Sequence, residues 1–146
     1  MADICLSLSG STIDEWIDQL EVDRQHYTMV ELRVDLLDNP HDTQLEFLTK
    51  NLKLANIPFI WTVRYEAERG NFKGSEEERL SLLEKGDELG ASYVDIELQS
   101  TIHSRIKLKN AKKIISYHDF EKLPVQLEEL LIAMQTARPD LIKLAF

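Results

Sequence analysis

The chain has 146 residues, 43% hydrophobic and 29% charged, which is enough for one globular domain with a core and too few for two. Its 26 acidic against 17 basic residues leave a formal charge of −9, which argues against a nucleic-acid-binding surface or attraction to an anionic membrane, since both need a basic patch. One cysteine, Cys5, excludes an internal disulfide and a cysteine-built zinc cluster. With no signal-peptide or spanning segment, the expectation is a reducing, cytoplasmic setting with Cys5 as a core filler.

Short strand-like runs alternate with amphipathic helical stretches, the pattern of an α/β fold. Ile4 to Leu8 reads as a first strand. Thr12-Ile-Asp-Glu15 has the form of a capping box opening a helix with Ile13, Trp16, Ile17 and Leu20 on one face. Val30 to about Leu36 reads as a second strand, and Thr43-Gln-Leu-Glu46 as the opening of a helix that turns Leu45, Leu48, Leu52 and Ala55 inward. A third strand spans Pro58 to Val63, and Ser75-Glu-Glu-Glu78 caps a third helix whose first turn carries the acidic run. Tyr93–Leu98, Lys113–Tyr117 and Leu141–Phe146 supply further strands. A helix starting near Pro124 separates the last two and buries Leu127, Leu130, Leu131 and Met134. The count is roughly six β/α steps.

Parallel strands form either an open doubly wound sheet or a barrel. Ionisable residues gather at the ends of the apolar runs, at Val63-Arg64, Asp95-Ile-Glu97, Tyr117-His118-Asp119 and Ile142-Lys143, as in barrel active sites and in the crevices of open sheets alike. The five glycines form neither Gly-x-Gly-x-x-Gly nor a Gly-Lys-Ser/Thr loop, so the open nucleotide-binding sheet loses its support and the barrel is the better fit. Alternation along the second strand puts Glu31, Arg33 and Asp35 on one face, where burial demands that they pair; Asp95 and Glu97 share a face on the fourth.

Lys143 sits inside the apolar run Leu141-Ile-Lys-Leu-Ala-Phe146. One reading is a stem that packs while its ammonium snorkels to water. The other is an amine whose burial lowers its pKa from about 10.4, suiting it to attack a ketone and form a Schiff base.

Five segments in order, Glu31-Leu-Arg-Val-Asp35, Thr62-Val-Arg64 with Glu68, Val94-Asp-Ile-Glu-Leu98, Ile115-Ser-Tyr-His-Asp-Phe120 and Ile142-Lys-Leu-Ala145, resemble type I 3-dehydroquinate dehydratase from the first strand to the last residue. The resemblance implies a (β/α)8 barrel that dehydrates 3-dehydroquinate to 3-dehydroshikimate, a step of the shikimate pathway, through a lysine imine, with no metal or organic cofactor. It implies Lys143 as the imine-forming residue, His118 as acid and base in turn, Glu68 as the carboxylate orienting that histidine, and Glu31 as a further acid in the pocket. Arg33 and Arg64 would hold substrate oxygens in their planar forks. Asp35 would pair within the strand, and Asp95 and Glu97 would brace the lysine and histidine from behind. His26, His41 and His103 have no metal-site spacing.

The chain also departs from that family. Such barrels run to about 250 residues, so residues 1–146 are expected to be a single, C-terminally truncated barrel domain with an exposed sixth strand, completed by a missing C-terminal half or by another copy. An arginine after strand seven and a serine/glutamine loop after strand eight have no counterparts, the stretch from Leu98 to Ile114 is short for a crossover helix, and Arg69, expected in solvent, stands where the family usually has glycine. Two other functions fit the same residues: a silent barrel segment acting as an assembly module through its open edge, and another imine-forming barrel lyase such as an aldolase.

Overall fold

The computed structural model describes residues 3–22, 24–38, 41–121 and 124–146. Its six strands, β1 (Cys5–Leu8), β2 (Met29–Arg33), β3 (Phe59–Thr62), β4 (Tyr93–Glu97), β5 (Lys112–His118) and β6 (Leu141–Ala145), are all parallel and pair in chain order. That order decides the architecture. A doubly wound sheet reverses direction at a switch point; here every crossover advances the same way, so right-handed connections place all helices on one face. The result is the curled sheet of a (β/α) barrel, with helices α1 (Ile13–Val22), α2 (Asp42–Leu54), α3 (Glu76–Glu88) and α4 (Leu127–Thr136) outside it.

Period-two alternation divides each strand between two environments. Leu8, Val30, Leu32, Phe59, Trp61, Val94, Ile96 and Ile115 are buried toward the helices, where they form one cluster with Trp16, Leu45, Leu48, Leu52, Leu83 and Met134. The opposite parity carries Ser7, Glu31, Thr62, Asp95, Glu97, Ser116 and Lys143, so the concave face is polar while the convex face is oil. Close packing on the convex side is visible at Gly86 in α3, where an added Cβ would overlap the Trp61 ring, itself fixed by donation from Nε1 to the Leu82 carbonyl at 2.9 Å. Gly86→Ala should therefore destabilise by about 1–3 kcal/mol despite the better helix propensity of alanine. Thermal unfolding checks this, and an increase in stability would contradict it.

Two helix starts follow the expected chemistry. Ser75 Oγ accepts from the Glu78 amide at 3.2 Å while the Glu78 carboxylate accepts from the Ser75 amide at 2.7 Å, and Thr12 and Glu15 make the same reciprocal pair at 3.2 and 3.2 Å. Elsewhere the structure corrects the sequence reading. Helix α2 begins at Asp42 with His41 as N-cap and no side-chain cap, because Thr43 already lies within its first turn; Ala55 is its exposed C-cap. Strand β2 ends at Arg33, and Val34–Leu36 form a 3₁₀ turn that folds the Asp35 carboxylate back onto Arg33. On α4 only Met134 is fully buried; Leu130 and Leu131 are half-buried and Leu127 is 44% exposed. Cys5 is exposed on the edge strand, not in the core.

The short link between β4 and β5 contains a 3₁₀ turn, Thr101–Ser104, in place of a helix. Asp87, buried at the end of α3, holds that link by accepting from the amides of Lys109, Asn110 and Ala111 at 2.6, 3.0 and 2.6 Å. Among the described residues no helix is long and apolar enough to cross a membrane.

Candidate active site

The carboxyl ends of β2, β3, β5 and β6 enclose an open cavity of about 220 Å³ lined by Glu31, Arg33, Arg64, Glu68, Arg69, His118, Phe120, Lys143 and Ala145. A larger hollow of about 480 Å³ between α1 and α2 is lined mainly by Ile17, Leu20, Tyr27, Phe47, Leu48 and Leu52 and brings no such set of ionisable groups together. The chemistry therefore lies at the strand ends, as it does in parallel barrels generally.

Lys143 comes from the middle of β6, and its side chain, 32% exposed, reaches across the concave face to donate to Glu31 Oε1 at 2.8 Å and Asp95 Oδ2 at 3.1 Å. Glu31 is held from three sides: Thr62 Oγ1 donates to the same oxygen at 2.8 Å and Ser7 Oγ to Oε2 at 3.1 Å. Asp95, 1% exposed, accepts from Ser116 Oγ at 2.6 Å and from Arg64 Nη2 at 3.2 Å. Strand register explains the convergence, since Ser7 is beside Glu31, Thr62 beside Asp95, and Ser116 beside Lys143.

These contacts reverse the expected tuning of the lysine. Burial alone pulls the Lys143 ammonium down, but the Asp95 and Glu31 carboxylates outweigh it and hold the group above its ordinary 10.5. The carboxylates respond in kind. Burial pushes both up, yet Lys143 for Glu31, and Arg64 followed by Lys143 for Asp95, bring them below their usual range. The pairing favours the ammonium form of Lys143, which donates to Glu31 at 2.8 Å, so attack on a carbonyl requires that proton to leave first. For Glu97 burial wins over Arg79 and Arg64, and its carboxyl is held above the ordinary value.

His118 ends β5, and its Nδ1 lies 2.9 Å from Glu68 Oε2 and 3.0 Å from Arg64 Nη1. A protonated Nδ1 donates to the carboxylate; an unprotonated one accepts from the guanidinium. Either tautomer of the ring thus has a partner at that nitrogen.

The two arginines are more engaged with the protein than their sequence pattern indicates. Arg33 makes a bidentate pair with Asp35 at 2.9 and 2.8 Å, and Asp35 also accepts from the Asn71 amide at 3.1 Å. Arg64, 3% exposed, donates to Ser116 Oγ at 3.0 Å and faces Glu97 at 3.6 Å. Glu97 in turn binds the buried Arg79 and accepts from the Tyr65 amide at 3.3 Å.

All nine residues singled out from the sequence fall within this connected set, six lining the cavity and Asp35, Asp95 and Glu97 behind it. Ser7, Thr62, Ser116 and Arg79 were missed. Small hydroxyls in apolar strands carry no motif, and only their place on the concave parity would have drawn attention to them. Arg69 was expected in solvent; it is exposed, yet it lines the mouth and sets its guanidinium 4.8 Å from the centre of the Phe120 ring. Among the described residues no group of three or more His, Cys, Asp or Glu side chains is placed to hold a metal ion.

Residues 4–146 match the family described as type I 3-dehydroquinase. The chain is 33% identical over 144 residues to a 3-dehydroquinate dehydratase of Coxiella burnetii, covering 97% of this chain and 60% of that protein. A 3-dehydroquinate dehydratase of Methanocaldococcus jannaschii is 37% identical over 127 residues, 83% of this chain and 55% of its own length. Among solved structures, the type I 3-dehydroquinate dehydratase of Clostridium difficile with covalent modified comenic acid superposes with a TM-score of 0.81 at 25% identity, over 97% of this chain and 62% of that one. The chain thus spans about 60% of the length of the curated relatives it matches.

Proposed function

We propose, because this chain belongs to the type I 3-dehydroquinase family, that its cavity serves the dehydration of 3-dehydroquinate to 3-dehydroshikimate through an imine on Lys143. The observation that carries this reading is the meeting, in one cavity at the strand ends, of an amine with carboxylates at 2.8 and 3.1 Å and an imidazole with a carboxylate at 2.9 Å.

Lys143 loses its ammonium proton to solvent, attacks the substrate ketone, and the carbinolamine loses water to leave a protonated imine. His118 removes a proton from the carbon beside that imine; the C–H electron pair becomes the C=C bond of an enamine and the imine π pair moves onto nitrogen, so the charge that would otherwise sit on a ketone oxygen is neutralised there. The enamine then expels the hydroxyl two carbons away, which leaves as water with the proton His118 has taken. Hydrolysis of the conjugated imine frees the product and restores the amine. Glu68 and Arg64 keep the ring of His118 in place through these changes, Asp95 neutralises the charge on Lys143, and Arg33 presents its remaining edge to substrate oxygens. The single cysteine suits a reducing, cytoplasmic setting for this reaction.

The assay is turnover of 3-dehydroquinate, followed by the ultraviolet absorbance of the conjugated product. His118→Ala should lower the rate by about 10²- to 10⁴-fold, the usual contribution of a positioned acid–base group. A variant with undiminished turnover would remove His118 from the mechanism.

A further inference from the structure

Charge pairing separates Arg69 from the other cations of the cavity. Arg33 is matched by Asp35, Arg64 by Asp95, Glu97 and Glu68, and Lys143 by Glu31 and Asp95. Arg69 lines the same cavity, and among the described residues no carboxylate pairs with it; its contact is the face of Phe120, at 4.8 Å. The Phe120 ring in turn lies 6.1 Å from the His118 ring, so imidazole, phenyl and guanidinium form a row from the reacting centre to the mouth. A guanidinium resting on an aromatic face is positioned without losing its hydrogen-bonding edge, which leaves the fork available to an oxyanion.

The backbone fixes that position at the expense of local strain. Arg69 has φ 59 and ψ 31, a left-handed conformation that glycine adopts freely and arginine does not. The loop holding it is closed by backbone hydrogen bonds from Arg69 to Glu66 at 3.1 Å, Gly70 to Tyr65 at 3.0 Å and Phe72 to Arg64 at 3.1 Å. Gly70 has no room for a Cβ, which would strike the Arg64 carbonyl. Asn56 and Arg138 share a positive φ elsewhere in the chain, so the backbone sets where the Arg69 side chain starts, and its place in the cavity lining and on the Phe120 ring carries the assignment.

We infer that Arg69 is the substrate-anion contact of this cavity, pairing through its fork with the carboxylate of a small cyclic acid whose far side reaches Lys143. The inference rests on the reading above for the identity of that acid, but not on imine chemistry. It is tested with quinate, which keeps the ring and carboxylate but has a hydroxyl in place of the ketone, and with methyl quinate, which lacks the charge. Both are titrated calorimetrically into the full chain and into Arg69→Gly and Arg69→Lys. Glycine suits the left-handed φ, so Arg69→Gly keeps the fold. It should weaken quinate about tenfold and leave methyl quinate unchanged, while Arg69→Lys restores part of the loss. Equal weakening of acid and ester, unchanged quinate affinity in Arg69→Gly, or no binding of quinate to the wild-type chain would overturn the assignment. Failure of the dehydratase reading is separate, because it shows in turnover and not in this comparison.

Discussion

Asp95→Ala should lower stability at neutral pH by about 3 kcal/mol and the melting temperature by roughly 10 °C. Asp95 is 1% exposed and touches both buried cations of the site, Arg64 at 3.2 Å and Lys143 at 3.1 Å, besides Ser116. Removing it leaves Arg64, 3% exposed, with partners at 3.6 and 4.0 Å only among the carboxylates. The pH dependence identifies the cause. Burial opposes the Asp95 charge, but Arg64, Lys143 and Ser116 outweigh it and depress the folded pKa. A depressed carboxyl contributes stability that is present above its unfolded value near 3.8 and lost as pH falls through the folded one. Glu31 acts in the same direction. Glu97, raised by burial, acts in the opposite one: its contribution is present below 4.5 and lost as pH rises through its folded value. Lys143, raised, supports the fold below about 10.5 and ceases to as pH climbs past its folded value. Asp95→Asn should therefore flatten the acid limb of the melting-temperature profile while preserving shape. A loss below about 1 kcal/mol for Asp95→Ala would mean that desolvation of the cluster already offsets its attraction.

Lys143→Ala and Lys143→Arg separate the chemistry from the ion pair. Both should reduce turnover of 3-dehydroquinate by at least about 10⁴-fold, since neither side chain forms an imine. Lys143→Ala also leaves Glu31 and Asp95 facing each other without their shared cation, and should be the less stable of the two. Lys143→Arg keeps a positive charge within reach of both carboxylates and should retain most of the stability while remaining inactive. Turnover and urea unfolding measured on both variants check this. If Lys143→Arg retained turnover near wild type, the residue would be acting as a fixed charge rather than a nucleophile.

Much of this organisation was legible before any coordinates. Alternation told that Glu31 and Arg33 on β2, and Asp95 and Glu97 on β4, share a face, though Asp35 lies past the end of β2 in a 3₁₀ turn, and five ordered segments told which of them meet. What the sequence could not carry was set by neighbours distant in the chain. The lowering expected for Lys143 followed from burial alone, and its reversal depends on Asp95 and Glu31, which come from two other strands. The pairing of Arg33 with Asp35 was expected, though a 3₁₀ turn and not the strand brings it about, while the engagement of Arg64 with Asp95 and Ser116 is tertiary and left no mark in the sequence. The apolar face of α4 was visible, but periodicity does not say what covers it, and Leu127 remains 44% exposed. Arg69 stood out only through the resemblance, which expects glycine there; its left-handed φ of 59 fits that expectation, and its contact with Phe120 is tertiary.

The central claim is that Lys143 forms a covalent imine, and borohydride reduction tests it most directly. The chain is incubated with 3-dehydroquinate, reduced, and examined by intact mass and peptide mapping. A ligand-sized increase located on Lys143, absent without substrate and absent in Lys143→Arg, is the predicted result. An unmodified folded chain, or an adduct on a lysine outside the cavity, would contradict it.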